Sequence, residues 1–268
     1  MEDALEPDSG TAGESDDLAV LFGALPSSPT FRDIFRVVYG SDYPEEADPF
    51  SFVTLTDLRN IASNLNVGPE KTIVDLACGR GGPGLWVARE TGAALLGFDA
   101  SKVGIEAAKQ RASSFGLANR AKFRVRDAAE TGLSETSVDG VMSVDAFWLF
   151  PDKARVAAEV ARILRPGGGF VFTTWEFEIT PVQQAGWAPQ LSDHTDLLRD
   201  AGFLVATYEE TPDWRRRQLA VYDAWLTNES ALIAELGDEA ASDLLDEARD
   251  MPALLERSRR VMVTARKP

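Results

Sequence analysis

The sequence predicts an α/β protein with a doubly wound, mostly parallel sheet. Between residues 70 and 211, short runs rich in β-branched and aromatic side chains alternate with stretches of helical periodicity. Some of the β-like runs are apolar almost throughout, as in Leu95-Leu96-Gly97-Phe98, and strands buried on both faces have this character. Strand and helix in alternation, with helices covering both faces of the sheet, are typical of this fold class.

Three helices are predicted before the sheet, because apolar side chains there recur at spacings of three and four residues. They centre on Leu18–Phe22, Phe31–Val38 and Leu55–Leu65. Residues 1–16 are acidic and rich in Gly, Ser and Ala, so they lack the apolar groups that would offset the entropy of ordering them. We expect these residues to form a disordered tail.

The periodicity changes after Gly68-Pro69, where the strands begin. Seven β-like runs follow, and helical stretches separate most of them. The predicted strands are Thr72–Ala77, Ala94–Asp99, Lys122–Val125, Gly140–Val144, Gly169–Thr174, Leu204–Tyr208 and Arg260–Ala265. The predicted helices cover residues 83–91, 102–115, 152–164, 192–201, 215–236 and 239–257.

Composition and charge exclude several classes of protein. The chain has 268 residues with 43 acids against 27 bases, and its formal charge of −16 disfavours a nucleic acid partner. A single cysteine, Cys78, and a single histidine, His194, exclude disulfide scaffolds and zinc modules, and we expect no metal. No apolar run approaches the roughly 18 residues of a membrane span, and Met1-Glu2-Asp3 is acidic where a signal peptide is basic. We therefore expect a cytoplasmic protein without a membrane partner, either a monomer or a homodimer.

The strongest local signal is the glycine-rich segment that joins the first strand to a helix. It reads Asp75-Leu76-Ala77-Cys78-Gly79-Arg80-Gly81-Gly82-Pro83-Gly84. Glycines at such a turn let the backbone approach a ligand closely and leave the first N–H groups of the helix free. Gly79, Gly81 and Gly84 satisfy G-x-G-x-x-G, and Asp99 lies 20 residues after Gly79, so a dinucleotide-binding dehydrogenase is the first hypothesis.

Further features favour a cationic ligand over a dinucleotide. Asp75 lies inside the first strand, where a carboxylate repels a pyrophosphate but suits an ammonium group. Asp127 ends the third strand, at the carboxyl edge where open α/β sheets bind their ligands. The segment Leu164–Gly169 makes a tight turn from a helix into the fifth strand.

With these segments the sequence resembles the class I S-adenosylmethionine-dependent methyltransferases, in particular the branch that acts on small molecules such as quinones and natural products. Five motifs occur in the order and spacing of that family. They are Asp75–Gly81, Gly97–Ser101, Arg126–Ala128, Asp139–Asp145 and Leu164–Gly168. The resemblance covers about residues 50–210, and residues 259–266 match the antiparallel last strand of the family.

The resemblance implies a Rossmann-like methyltransferase sheet in a single domain over residues 17–268. Within it we expect an N-terminal helical cap at 17–67, a cofactor-binding core at 70–211, a helical lid inserted at 212–257 and the last strand at 258–268. The cap and the lid are expected to cover the acceptor.

The resemblance also implies S-adenosylmethionine as the cofactor and assigns its contacts by position. Asp75 would act on the ammonium group and Asp99 on the ribose hydroxyls. Asp127 would take the adenine amino group, the Ala128 N–H a ring nitrogen, and Ser143 would lie near the methionine amine. The other positions expected at the cofactor are Ala77, Gly79, Gly81, Ala100 and Ser101.

Aromatic side chains outside the cofactor half indicate an apolar or mixed-polarity acceptor. The expected lining residues are Phe147, Trp148, Trp175, Trp214 and Tyr222. His194, near the start of a helix, is a candidate general base because its intrinsic pKa is near neutral, although a surface histidine is the alternative. Asp145, at the carboxyl edge of the sheet, is the other candidate, with a cofactor-side or a structural role as its alternatives.

The leading functional hypothesis is methyl transfer to a small organic acceptor, to a hydroxyl of a specialised metabolite. Methylation at nitrogen or carbon remains an alternative. A non-catalytic cofactor-binding protein is the alternative from a different class.

Overall fold

The computed structural model describes residues 16–179 and 189–268, and all but the last residue of the predicted tail lie outside these ranges. The helices of the described residues are α1 (Asp16–Ala24), α2 (Pro29–Tyr39), α3 (Leu55–Leu65), α4 (Gly82–Thr91), α5 (Lys102–Arg111), α6 (Lys153–Ile163), α7 (Thr195–Asp200), α8 (Trp214–Thr227), α9 (Glu229–Leu236) and α10 (Asp238–Leu255). The strands are β1 (Thr72–Leu76), β2 (Ala94–Asp99), β3 (Ala121–Val125), β4 (Val138–Val144), β5 (Leu164–Glu176), β6 (Leu204–Glu210) and β7 (Arg259–Arg266).

The strands form one sheet in the order β3-β2-β1-β4-β5-β7-β6. The strands from β3 to β5 pair in parallel, and β7 runs antiparallel to both of its neighbours. The chain order reverses between β1 and β4, so the loops that follow these two strands diverge and leave a crevice at the carboxyl edge. The predicted fold class, including its antiparallel last strand, is confirmed.

Helices cover both faces of the sheet. Helices α3, α4 and α5 bury their apolar side chains against one face, which we call the first face, and α6 and α7 cover the second. Side chains alternate along β1: Ile73 faces the first layer of helices, whereas Val74 and Leu76 face the second. The predicted cap at 17–67 is therefore wrong in one part, because α3 packs against the sheet with α4.

A third group of helices, which we call the helix cluster, consists of α1, α2, α8, α9 and α10. Its core is aromatic: the ring of Phe31 stacks on Trp225 with centroids 5.7 Å apart, and Phe35 also contacts Trp225. The predicted helix 215–236 is divided in two at Asn228, whose side chain donates a hydrogen bond to the Ala224 carbonyl. No helix of the described residues is long and apolar enough to cross a membrane.

A buried ion-pair network joins β7 to the carboxyl edge of the sheet. Arg260 is only 1% exposed, and its Nε and Nη2 donate to the two carboxyl oxygens of Asp145 at 2.9 and 3.1 Å. Its Nη1 donates to Asp57 Oδ2 and Thr211 Oγ1, both at 3.0 Å. Asp57 also completes the capping box of α3 with Thr54. Burial alone would lower the pKa of Arg260, but Asp145 and Asp57 raise it, so the guanidinium stays charged.

Replacing Arg260 by methionine should lower the free energy of unfolding by about 3 to 5 kcal/mol, because two buried carboxylates would lose their cation. Urea denaturation measures the change. The control is Arg249→Met, which breaks exposed pairs with Asp246 and Glu229 and should cost no more than about 1 kcal/mol. A loss at Arg260 no larger than in the control would contradict the structural role of the network.

Candidate functional site

A cavity of about 570 Å³ opens at the carboxyl edge of the sheet. One part of its wall consists of the glycine-rich turn and the ends of β2 and β3. The rest consists of the end of β4 and the segment after it, Trp175 near the end of β5, residues 48–52 and side chains of the helix cluster. The cavity therefore lies where the strand order reverses.

The turn after β1 has the backbone conformation that its glycines predict. Gly79 and Gly81 have φ of +50° and +76°, and Ala77 also lies in the left-handed region at +55°. A Cβ at Gly81 would lie 2.8 Å from Ala108 Cβ, so no larger residue fits there without movement. Ala77 and Gly79 line the cavity, whereas Gly81 allows the turn to pack against α5 and β3.

Asp75 is the most unusual group in the cavity wall. It is 1% exposed, and neither carboxyl oxygen accepts a hydrogen bond of normal geometry from the described residues. Burial, with a contribution from Asp99, raises the pKa of Asp75 to about 8, although the nearby Gly84 N–H lowers it. A Cβ at Gly84 would overlap Asp75 Oδ2, so glycine is needed where α4 passes the carboxyl group. An unpaired buried carboxyl at a cavity wall is a ready partner for a cationic group.

Asp99 connects the two turns that border the cavity. Its Oδ2 accepts a hydrogen bond from the Gly79 N–H at 2.7 Å, and its Oδ1 accepts one from the Ser101 N–H at 2.8 Å. Burial raises the pKa of Asp99, while these N–H groups lower it. Ala100 lies beside it in the cavity wall, whereas Ser101 caps α5 by accepting from the Gly104 N–H.

The end of β3 supplies Asp127 and Ala128 to the cavity wall. Asp127 is exposed, and its Oδ1 accepts a hydrogen bond from the Ala129 N–H at 2.8 Å. Ser143 is placed differently from its prediction. Met142 pairs with Asp75 across the sheet, and its side chain faces the first layer of helices. Because successive side chains of a strand point to opposite faces, the buried Ser143 hydroxyl points to the second face.

The expected acceptor residues divide into two groups. Trp148 and Trp175 line the cavity. Phe147, Trp214 and Tyr222 are buried elsewhere: Phe147 packs against the second face, and the other two lie within the helix cluster. Tyr222 nevertheless reaches the cavity indirectly, because its hydroxyl donates a hydrogen bond to Glu247, which lines the cavity.

His194 lies away from the cavity. It is 1% exposed and precedes α7 on the second face, with its ring edge-on to Phe147 and Phe172. Its Nδ1 is 3.1 Å from the Tyr208 hydroxyl, which donates to Glu176. The reading of His194 as a surface histidine is therefore wrong, and the general-base candidate does not line the described cavity.

Asp145 does lie at the cavity wall, but its oxygens are engaged. Both accept hydrogen bonds from Arg260, and Oδ2 also accepts from the Phe52 N–H at 3.1 Å. Burial raises the pKa of Asp145, while Arg260 lowers it. Its backbone lies in the left-handed region at φ +56°, where the chain leaves β4. These contacts match the structural alternative for Asp145.

Several cavity residues have no local signal in the sequence. They come from residues 22–52, from the end of α5 and from the helix cluster, all outside the glycine-rich segment. They include Phe22, Phe35, Phe50, Phe52, Arg111, Trp225 and Glu247. The helical periodicity that predicts α2 and α8 says which residues are buried in each helix, but not which helix contacts the cavity.

Arg111 joins the segment that precedes Phe50 and Phe52 to the glycine-rich turn. Its guanidinium donates to the Ala47 carbonyl at 2.7 Å and to the Arg80 carbonyl at 3.0 Å. Burial, with a contribution from the neighbouring Arg80, lowers the pKa of Arg111 to about 10, although Asp48 acts in the opposite direction. Arg80 itself pairs with Asp48 at 3.0 Å.

Comparison with known proteins agrees with the fold and the motifs. Residues 73–168 match the family model described as a methyltransferase domain. Methyltransferase GfsG of Streptomyces halstedii is 33% identical over 138 residues, which are 52% of this chain and 49% of that protein. A chloroplastic tocopherol O-methyltransferase of Arabidopsis thaliana is 34% identical over 105 residues, 39% of this chain and 30% of that protein. The matches span half or less of these relatives.

Solved structures with the same fold cover more of the chain. The crystal structure of the [4+2]-cyclase SpnF superposes with a TM-score of 0.73 at 20% identity, covering 98% of this chain and 97% of that one. A geranyl diphosphate methyltransferase in complex with SAM has a TM-score of 0.62 at 20% identity and covers 85% and 92%. Identities this low show the fold alone. The family match over residues 73–168 and the relatives in sequence confirm the methyltransferase resemblance that the sequence motifs predict.

Replacing Asp75 by asparagine should stabilise the free protein, and more so at high pH. The folded state binds more protons than the unfolded state between the ordinary carboxyl pKa and about 8, so the wild type loses stability as the pH rises through this range. The variant has no such group, so its gain in Tm should be larger at about pH 8 than at about pH 5.

Thermal unfolding at the two pH values measures the effect, without any ligand. Asp250→Asn, which neutralises an exposed carboxyl on α10, is the control and should change neither Tm. An equal effect of Asp75→Asn at both pH values would show that the Asp75 pKa is not raised.

Proposed function

We propose that this chain is an S-adenosylmethionine-dependent methyltransferase that methylates a hydroxyl of a small, largely apolar molecule. The observation that carries the proposal is the buried Asp75 carboxyl, which lies beside a glycine-rich turn and accepts no hydrogen bond of normal geometry from the described residues. The ammonium group of a methionine moiety would supply a partner for this carboxyl. When bound, the cofactor provides a methyl group on a cationic sulfur.

The remaining cofactor contacts follow from the cavity wall. The turn residues Ala77 and Gly79 have no side chain that would obstruct a close ligand. Asp99 is held in place by two backbone N–H groups, and we assign it to the ribose hydroxyls. Asp127 and the Ala128 N–H are assigned to the adenine ring at the end of β3. This acidic lining suits a cationic ligand and disfavours the pyrophosphate of a dinucleotide.

The aromatic wall supports an apolar acceptor. Phe35, Phe52, Trp148, Trp175 and Trp225 surround the part of the cavity next to the helix cluster. Methyl transfer from sulfur is an in-line displacement, and a wall that orients the acceptor and excludes water can contribute about 7 to 11 kcal/mol to it. Relatives named for tocopherol O-methylation and sterol 24-C-methylation are consistent with apolar acceptors. A hydroxyl of a specialised metabolite is our preferred acceptor, with carbon or nitrogen as the alternative.

A second function deserves a direct test because of one observation. The structure that covers 98% of this chain is described as a [4+2]-cyclase, so this fold also serves reactions without methyl transfer. A large aromatic cavity would suit an apolar cyclisation substrate as well. Cofactor binding alone does not separate the two functions, whereas transfer of a labelled methyl group does.

Calorimetry should show that the wild type binds S-adenosylmethionine and does not bind NADH. Asp99→Ala should weaken S-adenosylmethionine binding by about 10- to 100-fold, the range expected for hydrogen bonds to a charged group. Asp250→Asn is the control and should leave the affinity unchanged. Unchanged affinity in Asp99→Ala, or binding of NADH in place of S-adenosylmethionine, would overturn the cofactor assignment.

Transfer of a labelled methyl group from S-adenosylmethionine to a panel of phenols and hydroquinones tests the reaction itself. We expect a labelled, organic-extractable product from at least one hydroxyl acceptor. Label found only in amine or carbon acceptors would replace the hydroxyl by the alternative. Cofactor binding without any labelled product would favour the second function.

A further inference from the structure

We propose that Glu247 is the general base that takes the proton from the acceptor hydroxyl. The inference rests on the proposed function and extends it to the helix cluster, where the sequence motifs of the family do not reach. Glu247 lies on α10, is half-buried and lines the cavity.

A chain of hydrogen bonds holds Glu247 in place. The Tyr222 hydroxyl donates to Glu247 Oε1 at 2.6 Å and accepts from Gln218 Nε2 at 2.7 Å. Gln218 Oε1 in turn accepts from Trp175 Nε1 at 3.1 Å. Trp175 lies near the end of β5, so the chain of hydrogen bonds connects the carboxyl edge of the sheet to α10. No donor among the described residues occupies Glu247 Oε2, and a molecule in the cavity can therefore use it.

The other acids of the cavity wall are either paired with an arginine or lie in the part of the wall next to the glycine-rich turn and the end of β3. Asp145 is paired with Arg260, and Asp48 with Arg80. Asp75 and Asp99 lie at the glycine-rich turn, and Asp127 lies at the end of β3. Of the carboxyl groups in the described part of the cavity wall, Glu247 is the one that the helix cluster supplies. There it lies close to aromatic side chains: Phe52 packs edge-on to Tyr222 with ring centroids 5.6 Å apart.

Methyl transfer to a hydroxyl releases one proton, so the reaction needs one proton acceptor. The acceptor oxygen forms a bond to the methyl carbon, the carbon–sulfur bond breaks with its electron pair remaining on sulfur, and the hydroxyl proton passes to Glu247 Oε2. Burial raises the pKa of Glu247, while the hydrogen bond from the Tyr222 hydroxyl lowers it. Among the described residues, Tyr222 is the titratable group that faces the Glu247 carboxyl. A carboxylate with a raised pKa is a stronger base toward a hydroxyl than an exposed one.

A chromogenic phenol tests the contact without knowledge of the natural acceptor. We would titrate 4-nitrophenol into the complex of the protein with S-adenosylhomocysteine and follow its phenolate absorbance against pH. A neutral phenol donates to a carboxylate, and a phenolate is repelled by it, so Glu247 should shift the ionisation of the bound probe to higher pH. Glu247→Gln removes that repulsion and should return the ionisation to lower pH by roughly one unit or more.

Glu239→Gln, at an exposed glutamate on the same helix, is the matched control and should leave the ionisation of the probe at its wild-type position. Tyr222→Phe keeps the carboxylate but removes its hydrogen bond, so the bound probe should still ionise at higher pH than in Glu247→Gln. Circular dichroism verifies that each variant folds.

The outcomes separate this inference from the proposed function. If the wild type fails to bind S-adenosylhomocysteine by calorimetry, the proposed function fails. If it binds that ligand but the probe ionises at the same pH in wild type and Glu247→Gln, only the role of Glu247 is overturned. Failure of 4-nitrophenol to bind the wild-type complex, or loss of S-adenosylhomocysteine affinity in Glu247→Gln, also overturns it, because Glu247 would then not face the acceptor.

Discussion

The buried guanidinium of Arg260 is the interaction on which the geometry of the cavity depends. It connects the antiparallel last strand to the end of β4 through Asp145 and to the start of α3 through Asp57. Asp145 in turn accepts from the Phe52 N–H, and the guanidinium lies 5.7 Å from the ring centroid of Trp175. Arg260 therefore helps to position two residues of the aromatic wall, Phe52 and Trp175, while it joins three elements of the fold.

Removing such charges from water is costly, and only complete pairing offsets the cost. The Arg260 network meets this condition, because each of the three guanidinium nitrogens has an acceptor. Asp75 is the opposite case within the same sheet, a buried carboxyl that accepts no hydrogen bond of normal geometry from the described residues. The contrast with the fully paired network supports the proposed assignment of Asp75 to a ligand.

The sequence predicts the sheet well because its strands and turns are local patterns. The turn at Asp75–Gly81 and the carboxylate of Asp99 carry their own signals in glycine spacing and strand ends. Ser143 shows where this fails: the end of β4 is predictable, but the face to which a side chain points depends on the register of the strand. His194 fails for another reason, since nothing local to its sequence shows that α7 docks against the second face.

The acceptor side is harder still, because its residues meet only through tertiary packing. Phe35 and Glu247 are far apart in the sequence, yet both line the same cavity. The periodicity of α2 and α10 predicts which of their side chains are buried, and most of those side chains do lie in the core of the helix cluster. Which side chain at the margin of that cluster contacts a ligand is decided by how the helices pack over the sheet.

With Asp75 assigned to the ammonium group as proposed, its raised pKa gives cofactor binding a consequence beyond affinity. At neutral pH the carboxyl of the free protein holds a proton, since its pKa is about 8. An ammonium group beside it favours the ionised form, so a bound cation displaces that proton into the solvent. The heat of binding will then include the ionisation heat of the buffer, and the affinity for a cationic ligand will rise with pH up to that pKa. The site therefore exchanges one positive charge for another, which leaves the net charge of the buried pocket nearly constant.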